Sequence, residues 1–427
     1  MEKVIKYLYY GSLLCFVLPS GDLFGIPIKL MVMLAVLAAF FGWCLLGKKS
    51  LVIDGVICGF LFVVAALFVW ACIGITNQYD TVFMAFKSFV SLLITVLCTY
   101  LLVKNRIVSI RGAAKVLFFV AVIMVAIKLF LEVILILGLL DWEQFKSMFM
   151  TITGTMATTM KIPFGGGYVY RIMMTNDFLP LVLCGFYFLY EKTQPLKKVI
   201  IAVILGVYTF IVYSRVAMLQ YAAVIVFCIA SLLWDFIRTV HRKKLAYVLI
   251  GAAAGVIVLA AVFAVKSEVI LSSLETFATS MYERWLGSSA EYSDSFRVEQ
   301  KIYLWEGIWK TPLFGQGLGS YIREYLRSEI TPFSYEAEYI SFIYQFGFIG
   351  FALIVGGIIL NFAIMCFRGI KRCRLFLLVL LNFGIWILRP LYNPQFLSSS
   401  SGMVIVAIFL AGHYYSQQLE QEKERKF

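Results

Sequence analysis

Residues 51–73 read LVIDGVICGFLFVVAALFVWACI, a run in which Asp54 is the one charged side chain. A helix needs about 20 consecutive apolar residues to cross a bilayer core of about 30 Å, and this run has that length. Comparable runs recur along the chain, at roughly 4–19, 26–46, 82–103, 113–140, 170–190, 197–213, 216–234, 245–265, 339–366, 374–391 and 398–416, making twelve in all. The composition agrees, with 62% of residues hydrophobic and 14% charged, against roughly 25% charged in a soluble domain; the mean hydropathy is +0.90. The expected fold is an all-α polytopic membrane protein. The first run lacks a small-residue cleavage site followed by a polar mature domain, so it is read as a span and not as a signal peptide.

A net charge of +13 would suit a nucleic-acid binder, but its distribution excludes that. Lys48 and Lys49; Lys104, Arg106, Arg111 and Lys115; Lys192, Lys197 and Lys198; Arg238, Arg242, Lys243 and Lys244; and Arg368, Lys371, Arg372 and Arg374 all fall in alternate short loops. Basic residues flank the cytoplasmic ends of spans. Both termini are therefore expected in the cytoplasm, with an even number of spans. The nine cysteines lie in spans or on the cytoplasmic side, so no disulfide framework is implied. Only His241 and His413 are present, which leaves no Cys/His cluster for zinc.

This topology divides the chain into spans one to nine (1–265), a long external loop (266–338), and spans ten to twelve with a tail (339–427). A smaller external loop falls at about 141–169. The long loop mixes acids and bases, unlike the basic loops on the other side. Within it, SDSFRVEQKIYLWEGIWK (293–310) places Phe296, Ile302, Trp305, Ile308 and Trp309 at helical spacing, opposite Glu299, Glu306 and Lys310. That pattern predicts a helix lying at the membrane interface. Next comes TPLFGQGLGSY (311–321), whose Gly315, Gly317 and Gly319 invite a phosphate-loop reading. A dinucleotide fingerprint requires a preceding strand inside a βαβ unit, and none surrounds these glycines. They are read instead as a turn that ends the interfacial helix and shapes a loop wall.

Several ionisable groups stand at the outer ends of spans: Glu336 and Glu338 before the tenth, Arg215 between the seventh and eighth, Arg171 and Asp177 at the sixth, Lys87 in the fourth and Arg389 at the eleventh. Such groups are costly at membrane depth and usually pair or serve a site, although an arginine near a helix end can also snorkel. Arginine matches phosphate oxygens with a fixed fork of donors, and a carboxylate can take the proton of an attacking hydroxyl. Cations beside carboxylates at headgroup level suit glycosyl transfer from a lipid diphosphate, with no metal or other cofactor required. Lys128 and Glu132, four apart in the fifth span, are expected to pair with each other.

Three pieces, YSRVAM (213–218), DSFRVEQKIYLWEGIWKTPLFGQGLGSY (294–321) and EAEYISFIYQFGFIG (336–350), occur in an order that resembles the O-antigen polymerase and O-antigen ligase superfamily. The resemblance covers roughly residues 210–350. It implies about twelve spans, a GT-C-type glycosyltransferase, and action on undecaprenyl-diphosphate-linked glycans at the outer face of the bacterial cytoplasmic membrane. Arg215 and Arg297 then become the diphosphate clamps, Glu336 the base with Glu338 second, and Arg171, Arg323 and Arg389 further contacts. Membrane lipids are implied as surroundings, with a chain-length regulator and a flippase as candidate protein partners.

Ligases of this superfamily often carry His-Asn where Glu336-Ala337 stands, and a carboxylate is by nature a weaker base than an imidazole. The departure favours a polymerase of O-antigen, capsule or exopolysaccharide over a ligase. A transporter would also suit twelve spans, but secondary transporters usually show internal repeats and broken helices meeting at the midplane. No such self-similarity is present.

Overall fold

The computed structural model describes residues 1–18, 23–47, 50–153, 159–164, 167–239, 288–326, 328–391 and 394–425, with 275, 279 and 282. A short helix, α1 (Glu2–Leu14), precedes α2 (Ile28–Leu46), α3 (Gly55–Thr76), α4 (Val82–Lys104) and α5 (Ile110–Ile136). Next come α6 (Trp142–Thr153) and an antiparallel hairpin of β1 (Thr159–Phe164) and β2 (Gly167–Ile172), in register from Thr159–Ile172 to Phe164–Gly167. The chain continues with α7 (Phe178–Tyr190), α8 (Pro195–Val212), α9 (Arg215–Thr239), α10 (Ser288–Ile308), α11 (Glu338–Phe367), α12 (Cys373–Leu391) and α13 (Ser399–Glu424).

Among the described residues eight helices, α2–α5, α8, α9, α11 and α12, are long and apolar enough to cross a membrane. The chain is a multi-pass membrane protein. The expected span at 245–265 lies outside the described residues, as do Lys48, Lys49, His241, Arg242, Lys243, Lys244 and Arg327. Two expected spans are shorter than the sequence suggests. The first is a helix of 13 residues. The run at 170–190 divides into the end of β2, a 3-10 turn at Thr175–Asp177 and the 13 residues of α7. At about 1.5 Å per residue α7 covers only ~20 Å. Asp177 makes the break by accepting the Met174 amide at 2.6 Å.

The last helix, α13, over the expected span at 398–416, is not among those eight, and it is the centre of the bundle. Ser400, Ser401, Gly402, Ala407, Ala411 and Gly412 let neighbouring helices come close, as small residues do in membrane bundles; a Cβ on Gly402 would stand 2.8 Å from the Leu92 carbonyl of α4. Trp386 of α12 donates its indole N–H to Ser401 at 2.9 Å. At one end of the bundle the basic loops meet the acidic tail of α13, through Lys192–Glu422 at 2.7 Å and Lys371–Glu420 at 3.3 Å. The opposite end carries α6, the hairpin and α10. Trp142, Phe145 and Phe149 of α6 pack there with Leu135 and Ile172.

Lys128 does not pair with Glu132. Its Nζ lies 2.5 Å from Asp177 Oδ1, with both side chains almost fully buried. Glu132 instead accepts the Tyr170 amide at 2.7 Å. The reason is tertiary: the 3-10 turn brings a second carboxylate to α5, while β2 brings an amide that needs an acceptor. Tyr208 completes the cluster by donating to Asp177 Oδ1 at 2.9 Å.

The glycine turn is wedged between α3, α4 and α11. Gly315, Gly317 and Gly319 have φ of 68°, 97° and 80°, values that glycine adopts without steric cost. Gly347 in α11, at φ 65° and ψ 179°, interrupts that helix. Carbonyls beside the break then accept from outside the helix: Tyr344 from the Gln316 amide at 3.1 Å, Gln345 from the Gly317 amide at 2.8 Å, and Phe346 from the Trp70 indole at 2.9 Å. Gly317→Ala would set its Cβ 2.2 Å from the backbone nitrogen of Gly74. With about 1–3 kcal/mol of backbone strain added, the variant should melt clearly below the wild type in detergent. An unchanged melting temperature would mean that the turn is not wedged in this way.

Candidate active site

Arg297, Gln300, Leu304 and Ile308 recur at helical spacing and form the inward stripe of α10. Leu304 and Ile308 are buried with Ile322, Tyr335 and Tyr344. Ile308 was expected beside Phe296, Ile302, Trp305 and Trp309, but those four are exposed while Ile308 is 1% exposed. The helix has a second apolar side, which composition alone does not assign to either face.

At the other end of this stripe, Gln300 accepts the Glu336 amide on its side-chain oxygen at 2.8 Å. Arg297 Nε lies 2.7 Å from Glu336 Oε2, with 15% of the arginine and 21% of the glutamate side chain exposed. The ion pair is thus half-buried at the junction of α10 and α11, with Gln300 fixing the backbone beneath it. Next to it Tyr335 accepts the Ile322 amide at 2.9 Å, and burial pushes its phenol up to about 12.

Glu338, two residues on, has another environment. It is 5% exposed, and its carboxylate accepts the Phe396 amide at 2.8 Å and the Leu397 amide at 3.4 Å. Glu338 therefore ties the start of α11 to the turn before α13. Arg389, 2% exposed, lies 3.5 Å above the Phe178 ring and donates through Nε and Nη2 to Gln395 at 3.3 and 2.9 Å. Its Nη1 has no acceptor among the described residues.

Arg171 and Arg215 share the corner between α8 and α9. Arg171 donates through Nε to the Val212 carbonyl at 3.4 Å, and Arg215 opens α9 two residues after Tyr213, whose φ is 47°. This corner joins that of Arg389 through the 3-10 turn, since Asp177 precedes Phe178 and accepts from Met174. Arg323 is placed elsewhere. It is exposed, 5.9 Å from the centre of the Tyr79 ring, and lines a separate cavity.

The arrangement can hold an anion beside a carboxylate. Among the described residues no group of three His, Cys, Asp or Glu is placed to hold a metal ion. Gln300 was missed as a positioning residue, and Asp177 was singled out as an ionisable group without its partners. Gln300 was legible, three residues after Arg297 on one helical face, whereas Asp177 gave no local sign of its partners.

Residues 200–355 match the family model described as O-antigen ligase. This segment is similar to the O-antigen polymerase and ligase superfamily. No curated protein and no solved structure matches the chain. The O-antigen ligase segment contains Arg215, Arg297, Gln300, the glycine turn, Glu336 and Glu338, and leaves Arg171 and Arg389 outside it. Members of the superfamily are glycosyltransferase-like enzymes, polymerases or ligases.

Proposed function

We propose that this protein polymerises undecaprenyl-diphosphate-linked oligosaccharide repeat units at the outer face of a bacterial cytoplasmic membrane. The observation that carries this reading is the half-buried Arg297–Glu336 pair inside the O-antigen ligase segment. The basic loops stand in the cytoplasm with both termini, and α10 and the glycine turn lie outside. The diphosphate of the donor competes with Glu336 for the Arg297 guanidinium, and Arg215, Arg171 and Arg389 contribute further donors. Glu336, drawn off its partner, takes the proton of the acceptor hydroxyl. That oxygen bonds to the anomeric carbon, the carbon–oxygen bond to the diphosphate breaks, and its electron pair leaves on the diphosphate. Glu336 is preferred over Glu338 as base because backbone amides already occupy the Glu338 carboxylate.

The test is purified protein with its cognate lipid-linked repeat unit as the only sugar source, read as glycan length on a gel. A ladder supports the polymerase. Product formed only after a lipid-core or protein acceptor is added would make the enzyme a ligase, the second reading, which the description of the matched family names. No product in either assay would sink both. Arg297→Lys keeps the charge but loses the planar fork; with charged hydrogen bonds contributing about 1.5–3 kcal/mol, transfer should fall roughly 10- to 100-fold. An equal rate in this variant would show that Arg297 acts as a point charge alone.

A further inference from the structure

A second hollow, about 430 Å³ in volume, opens at the same end of the bundle as the Arg297–Glu336 pair. Tyr303 and Glu306 of α10, Gln316 of the glycine turn, Tyr321, Arg323 and Tyr79 contribute to its wall. Its chemistry is unlike that of the spans. Tyrosine rings offer apolar faces with a polar edge, and the amide, carboxylate and guanidinium between them supply donors and acceptors of both kinds. The charges balance, with Lys310 and Arg323 lining it together with Glu306 and Glu324, so the wall lacks the excess of cations that a diphosphate requires. A neutral ligand with ring faces and many hydroxyls fits both features.

The wall is also held in advance of any ligand. Tyr303 stacks on Tyr325 with ring centres 5.0 Å apart, and Tyr79 meets Tyr321 edge-on at 5.5 Å. Gln316 is fixed through its backbone, its amide donating to Tyr344 and its carbonyl accepting from Asn77 at 2.8 Å. Fixed groups bind with less loss of conformational freedom. This gives the glycine turn a purpose: its three left-handed residues seat the backbone against α3 and α11 so that Gln316 lines the hollow.

The position relative to the pair follows from α10. Tyr303 and Glu306 stand six and nine residues beyond Arg297 on one helix, or ~9 and ~14 Å along its axis. Around the helix both stand off the face that carries Arg297, so a glycan with its reacting end at Glu336 would meet the hollow with its later sugars and not with the first. We propose that this hollow is a carbohydrate subsite that binds sugar residues of the glycan remote from the reacting end. Naming the glycan rests on the proposed function; the hollow's preference for an uncharged oligosaccharide does not.

The experiment is calorimetric titration of the full-length protein in detergent with lipid-free oligosaccharides, released by mild acid from the host cell's own lipid-linked intermediates. Tyr303→Ala and Glu306→Gln should each weaken binding about tenfold relative to the wild type. Tyr303 and Glu306 are both exposed, so these variants keep the fold. No heat from the wild type, or equal affinity in Tyr303→Ala, overturns the subsite even if the protein polymerises its lipid-linked substrate. Binding that Tyr303→Ala loses, in a protein that makes no glycan ladder, upholds the subsite and overturns the polymerase reading alone.

Discussion

Replacing Glu336 by Gln should slow glycan transfer by roughly 10²- to 10⁴-fold, the contribution of a positioned general base, and leave the melting temperature almost unchanged. The amide keeps the shape and the backbone contact to Gln300 but cannot accept the hydroxyl proton. Its ion pair with Arg297 is intermediate in burial, with 15% and 21% of the side chains exposed, so losing it should cost well under the roughly 3–5 kcal/mol of a fully buried pair. Glu338→Gln should behave the other way round. Its carboxylate holds the Phe396 and Leu397 amides in a buried turn, so the variant should lose stability first and activity only as the fold loosens. Initial rates and melting curves on both variants decide between them. A slow, stable Glu338→Gln beside an active Glu336→Gln would exchange the two roles.

Asp177→Asn should be the most destabilising of the single substitutions considered. Lys128 is 3% exposed and Asp177 1%, and removing one partner of a buried ion pair typically costs about 3–5 kcal/mol because the other charge is stranded. The neutral amide also makes a weaker acceptor for the Met174 amide and the Tyr208 hydroxyl. The double variant Lys128→Met with Asp177→Asn removes the stranded charge and should recover much of the loss. Melting temperatures of the single and double variants in one detergent provide the check. If the double variant melts no higher than the single one, packing and not charge governs this cluster.

Much of the architecture was legible in the sequence because membrane spans need only length and apolarity, both local properties. The segments at 51–73, 82–103 and 339–366 correspond closely to α3, α4 and α11. The hairpin was not legible. Its strands pair Lys161 with Tyr170 and Pro163 with Tyr168; β1 alternates over only six residues and includes a proline, and β2, GYVYRI, does not alternate cleanly between apolar and polar residues. The central place of α13 was equally hidden, since its serines and glycines look less suited to a bilayer than its neighbours do, and small size matters only once other helices surround it.

Of the site, the sequence offered a set of ionisable groups and their order along the chain. It could place Arg297 and Glu336 in one loop, but not 2.7 Å apart. Nor could it tell Glu336, half-buried beside an arginine, from Glu338, enclosed by backbone amides. Lys128 shows the same limit: four residues from Glu132 on α5, it pairs instead with a carboxylate 49 positions away. By itself the sequence determined that this chain crosses a membrane many times and which loops carry charge, because burial in lipid acts on each segment separately. Only the tertiary structure decided which charges meet, because an ion pair depends on distances of a few ångströms between segments that the chain order leaves free.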